Sequence, residues 1–70
     1  MGDRVQVFVN GKPETLYRGM RVRHALIARD QALYDAAERG ELRVEDGNGF
    51  SLDLDGGLTD GMKILTRPAG

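Results

Sequence analysis

VQVFVNGKPETLYR, residues 5–18, decides how the chain begins to fold. Val5, Val7 and Val9 alternate with Gln6 and Phe8, the period of two that sends one side of a strand into a core and the other side outward. Asn10-Gly11 follows at once, and both residue types tolerate the positive φ that a two-residue type I′ turn demands. Lys12 and Pro13 then lead into a return strand over residues 14–18, with Leu16 facing inward and Pro13 at the strand start, where no ladder hydrogen bond is lost. The stretch predicts an antiparallel hairpin with Val5, Val7, Val9 and Leu16 on its buried face.

Beyond Gly19 the spacing lengthens. Val22, Ala25 and Leu26 fall on one stripe with Arg21, Arg23 and His24 on the other side, which predicts a helix. An unbroken helix to Gly40 would place Arg29 on the apolar stripe, whereas Asp30 is a good N-cap. Two short helices are therefore expected, at 21–29 and 31–39, the second burying Leu33, Ala36 and Ala37 and ending at Gly40 as a C′ glycine. Leu42 and Val44 alternate with Arg43 and Glu45, Asp46-Gly47-Asn48-Gly49 reads as a tight turn, and Phe50, Leu52 and Leu54 alternate with Ser51 and Asp53. This predicts a second hairpin, of strands 42–45 and 50–54. An Asp- and Gly-rich loop over 55–61, anchored by Leu58, precedes a last strand over 62–67. No repeat or linker divides the chain, so residues 1–70 read as one domain, with 67–70 as a flexible tail. The expected core comprises Val5, Val7, Val9, Leu16, Val22, Leu26, Leu33, Leu42, Val44 and Ile64, with Phe50, Leu52, Leu54 and Leu58 as further candidates.

Composition narrows the functional classes. Seventy residues leave room for one small domain. Ten Lys plus Arg against eleven Asp plus Glu give a net charge of −1, so no overall basic field draws the chain to nucleic acid or an anionic membrane. The absence of cysteine removes disulfides, a thiol nucleophile and cysteine-ligated clusters, and it suits a reducing, cytoplasmic setting. The longest apolar runs, such as 7–9 and 25–28, fall far short of a membrane span, and no basic-then-apolar leader opens the sequence. His24 is the only histidine, with no serine or cysteine nearby to activate. Asp53-x-Asp55-Gly56 has the look of part of a calcium loop, but with Gly56 at the sixth position Ser51 and Met62 fall where carboxylates are required. Neither an enzyme nor a metal or other cofactor is expected.

A hairpin, a helical connection, a second hairpin and a closing strand describe an α+β fold: a mixed sheet of four to five strands with one helical layer of two short helices. In this order the chain resembles the β-grasp, or ubiquitin-like, proteins. VQVFVNGKPETLYRGMRV, residues 5–22, is similar to the opening of the small sulfur carriers of thiamine and molybdopterin biosynthesis, and LTDGMKILTRPAG, residues 58–70, to their Asp-Gly turn, last strand and glycine-ended tail. That resemblance implies a carboxylate at Gly70 activated by an adenylating enzyme. Ala69 stands where the carriers have a penultimate glycine, and Pro68 stiffens the residue before it.

Two functional readings follow. The leading one is a non-enzymatic module that binds another protein through its exposed sheet face and the basic side of its helix. Phe8, Tyr17 and Leu65 would be its apolar anchors, and Arg18, Arg21, Arg23 and Arg29 its charged contacts. Residues 1–34 carry six basic and three acidic groups and residues 35–70 four and eight, an asymmetry able to steer a partner of opposite pattern. The alternative is a sulfur-carrier or conjugation protein acting through Ala69 and Gly70. A third possibility, a small stabilising subunit or a domain cognate of a larger enzyme, shares the surface of the first.

Overall fold

The computed structural model describes residues 2–69. Its elements are β1 (Arg4–Val9), β2 (Lys12–Tyr17), α1 (Val22–Arg29), α2 (Gln31–Glu38), β3 (Leu42–Asp46) and β4 (Lys63–Pro68). The strands form one mixed sheet in the order β2-β1-β4-β3, with β1 and β4 parallel at its centre and the outer strands antiparallel to them. The architecture is α+β, a four-stranded sheet and two helices. None of the described helices is long and apolar enough to cross a membrane.

The first hairpin forms as the sequence predicts. Asn10 and Gly11 take φ of 52° and 83°, and pairing runs from Val9 opposite Lys12 to Arg4 opposite Tyr17. β2 begins at Lys12, two residues before the expected start, and includes Pro13. The reason lies in the hydrogen-bond direction. Phe8 N–H and Asn10 N–H donate to Met62 O at 2.9 Å and Ile64 O at 2.8 Å, so the even residues of β1 turn toward β4 and the odd ones toward β2. Pro13 stands opposite Phe8, where β2 turns its backbone away from β1 and no N–H is needed.

Side chains lengthen the short parallel seam between β1 and β4. At one end Asp60 Oδ1 accepts from Gln6 N–H at 2.9 Å while Gly61 N–H donates to Gln6 O at 2.7 Å. At the other, Asn10 Nδ2 donates to Thr66 Oγ1 at 2.9 Å and Asn10 Oδ1 accepts from Thr66 N–H at 3.0 Å. An aspartate and an asparagine thus take the place of further strand backbone on either side of the ladder.

Asp30 divides the helices in both senses. Its N–H donates to Leu26 O at 2.8 Å, closing α1, and its Oδ1 accepts from Ala32 N–H at 3.0 Å, capping α2. α1 buries Val22, Ala25 and Leu26, while no residue of α2 is fully buried. α2 packs on α1 and β3 at the margin of the core, so Leu33, expected inside, is half-buried, as is Leu42 at the start of β3.

Residues 50–54 depart from the expected strand. Asp46 N–H donates to Phe50 O and Leu52 N–H to Val44 O, both at 2.8 Å, which lines the free edge of β3 for a few residues only. The chain then turns to cap α1. Val22 N–H donates to Gly56 O at 2.9 Å and Arg23 N–H to Leu54 O at 3.0 Å, so loop carbonyls satisfy amides that a helix start otherwise leaves unpaired. A Cβ at Gly56 would lie 3.0 Å from Asp53 O, a close approach that explains the glycine. Phe50, a core candidate, is 69% exposed, and Leu52, Leu54 and Leu58 pack half-buried against the core.

The buried apolar core is Val5, Val7, Val9, Leu16, Val22, Ala25, Leu26, Val44 and Ile64. Glu45, expected to face water, is buried; it lies on the outer side of β3, where Ser51 pairs with it and Arg67 Nε approaches its Oε1 at 3.1 Å. Of the segment read as a tail, Arg67 and Pro68 belong to β4, and Ala69 N–H donates to Glu41 O at 3.0 Å. Gly70 lies outside the described residues.

Candidate functional site

Helices cover the face of the sheet that carries Val5, Val7, Val9 and Ile64, which leaves the opposite face without a helical layer. Strand alternation sends Arg4, Gln6 and Phe8 of β1, Lys63, Leu65 and Arg67 of β4, and Arg43 and Glu45 of β3 to that outer side. Pro13, Thr15 and Tyr17 of β2 join them. Near the hairpin turn Phe8, Gly11, Lys63 and Leu65 enclose an open depression of about 350 Å³. Its floor is apolar because Phe8 and Leu65 are both half-buried, and Gly11 contributes no side chain to fill it. A Cβ on Gly47 would lie 3.3 Å from Lys63 Cδ, so the Lys63 stem passes close over this glycine, on the β3 side of the hollow.

The rim is cationic. Lys63 lines the depression, Arg67 lies two residues beyond Leu65 on β4, and Arg43 is the cross-strand neighbour of Arg67. On the far side Arg4 sits over the ring of Tyr17, 6.0 Å from its centroid, and Tyr17 is exposed. Glu45 is the acidic strand residue on this side, and its carboxylate is already paired with Arg67.

The free edge of β2 offers less. Pro13 has no N–H, and Tyr17 turns both backbone groups to Met20: its N–H donates to Sδ at 3.5 Å and its carbonyl accepts from Met20 N–H at 3.0 Å. Thr15 remains as the one interior residue of β2 with a backbone N–H and C=O both facing away from β1. Recognition by strand addition is poorly served here, and the open face is the better surface.

Three of the four arginines singled out from the sequence hold other parts of the chain. Arg18 Nε and Nη2 donate to Gly2 O at 2.9 and 2.6 Å, holding the start of the chain. Arg21 Nη1 donates to Asp55 O at 3.1 Å, and Arg23 forms an ion pair with the Asp55 carboxylate, so both fasten the loop that caps α1. Arg29 closes α1 at the other end. His24 belongs to the same cap: its Nδ1 accepts from Arg21 N–H at 2.8 Å. Among the described residues no group of three or more acidic or imidazole side chains converges as a metal site would require. Phe8 and Leu65 do come together, with Tyr17 further along the same face. Ala69 is half-buried beside the start of β3, and Gly70 lies outside the described residues.

Lys63, Arg67 and Arg43, which the sequence reading did not single out, complete the site. The signal for two of them was present, since the alternation that turns Leu65 outward turns Lys63 and Arg67 the same way. Gly11 was read only as a turn residue.

On α2, the Tyr34 hydroxyl donates to Glu38 Oε2, and this acceptor, followed by burial, holds the phenol above the ordinary tyrosine pKa. The folded state keeps its proton longer than the unfolded chain, so the contribution is present below the ordinary value and lost as pH rises through the raised one. Ultraviolet titration of phenolate should show a late step that Tyr34→Phe removes and Glu38→Gln moves to lower pH; an early Tyr34 step would contradict the contact.

No protein-family model matches the chain, and no curated protein sequence matches it.

Proposed function

We propose that this chain is a non-enzymatic β-grasp, ubiquitin-like interaction module that docks a partner protein on the outer face of its sheet. The observation that carries the reading is the apolar hollow of Phe8 and Leu65 in a face that neither described helix covers. An apolar anchor site rimmed by charge is the usual composition of a protein interface, with the energy concentrated at its centre. The element order and the parallel central pair support the β-grasp assignment. The contacts of Arg18, Arg21 and Arg23 favour the sheet face over the helix side in this reading, because those guanidinium groups already hold the chain's own backbone and loop. Activation of Gly70 by an adenylating enzyme is the competing reading, and a terminal thiocarboxylate would appear in the intact mass as sulfur in place of oxygen.

The test is site-specific photocrosslinking in the protein's own cells, with benzoylphenylalanine placed at Phe8 and, as a control, at exposed Ala32 on α2. Partner adducts are expected from position 8 and not from position 32.

A further inference from the structure

We infer that the segment accepted by this face is acidic and presents one apolar side chain, which enters the hollow between Phe8 and Leu65. The inference rests on the docking reading and adds the chemistry of the partner. Arg4, Arg43, Lys63 and Arg67 project from the outer side of β1, β3 and β4, and Glu45 is the acidic strand residue among them. The chain as a whole carries −1, so this side is positive against a net-acidic molecule whose carboxylates lie mainly in α2 and the loops. Arg67 neutralises Glu45, and the other three cations remain for a ligand.

Size and geometry agree with this occupant. A depression of about 350 Å³ is at the lower end of small-ligand sites and has room for a branched or aromatic side chain. With Pro13 and the Tyr17–Met20 contacts blunting the β2 edge, the segment lies across the face rather than extending the sheet. Carboxylates flanking the anchor then come within reach of Lys63 at the hollow, of Arg43 toward the Arg67 end of the face and of Arg4 toward the opposite end, four residues before Phe8. These cations are exposed, so their attraction is screened over about 8 Å at physiological ionic strength and acts on groups in contact with the face.

The experiment is an amide NMR titration of the full chain with two synthetic peptides that share a single central phenylalanine, one flanked by glutamates and the other by lysines. The glutamate peptide should move the resonances of Phe8, Gly11, Lys63 and Leu65 and bind at least about tenfold more tightly than the lysine peptide at low salt. The double variant Lys63→Glu, Arg43→Glu changes two exposed side chains and should reverse that preference while the remaining resonances stay in place. Equal binding of both peptides at the face would overturn the acidic preference and leave the docking reading intact. Failure of the glutamate peptide to move these four resonances at millimolar concentration would also overturn the inference, and the docking reading would then be decided by the crosslinks from position 8.

Discussion

Replacing Leu26 with alanine is expected to cost about 3–5 kcal/mol and to leave the chain largely unfolded in plain buffer. Leu26 is fully buried in α1, in a core whose described members are mostly valines and alanine. Removing its three outer carbons takes away the transfer free energy of that surface and leaves a cavity that β-branched neighbours, stiff at χ1, fill poorly. A domain of this size has a single core and a margin of only about 3–5 kcal/mol, so one such loss is comparable to the whole. The adjacent Ile27, on the same helix but 37% exposed, gives the contrast: Ile27→Ala should cost about 1 kcal/mol or less. Urea unfolding followed by circular dichroism measures both. Near-equal losses for the two variants would show that α1 does not present the described face to the sheet.

The second large effect is expected at Asn10. Asn10→Ala places an alanine at positive φ, costing about 1–2 kcal/mol, and removes both side-chain hydrogen bonds to Thr66, each of about 1 kcal/mol. Together these come to about 3 kcal/mol, again close to the full margin. Asn10→Gly separates the contributions, since glycine keeps the turn conformation and gives up only the link to β4. The expected order of urea midpoints is wild type, then Asn10→Gly, then Asn10→Ala. If Asn10→Gly matched wild type, Asn10 would be a turn residue alone, and the β1–β4 seam would not depend on it.

Asn10 also marks where sequence reading stops. The Asn-Gly pair and the alternation around it are local signals, and they revealed the hairpin and its buried face. The partner of the Asn10 side chain is 56 residues away, and nothing in the local pattern announces it. The break at Asp30 was legible because a cap is a property of neighbouring residues. The segment 50–54 was misread for the opposite reason: its alternation is that of a strand, but the carbonyls of Leu54 at its end and of Gly56 just beyond it are required at the start of α1, and that demand overrides the local preference. Glu45 looked solvent-facing because strand period alone shows neither its pairing with Ser51 nor its ion pair with Arg67.

The site was readable in the same partial way. Outward positions on the first and last strands identify Phe8 and Leu65, whereas their adjacency depends on β1 and β4 being parallel neighbours, a fact of topology. The basic run over 18–29 looked like one surface because the residues are close in sequence. In the fold Arg18 holds Gly2 while Arg21 and Arg23 both hold Asp55, and the positive surface is assembled instead from Arg4, Arg43, Lys63 and Arg67, drawn from three strands.

The most direct measurement of the central claim is photocrosslinking from benzoylphenylalanine at Phe8, compared with the same group at Ala32, in cells that make the protein at its natural level. The docking account predicts discrete adducts from position 8 that disappear when Leu65 is changed to aspartate, and none from position 32. Adducts from position 32 alone, or adducts from position 8 that persist unchanged with Leu65→Asp, would contradict it.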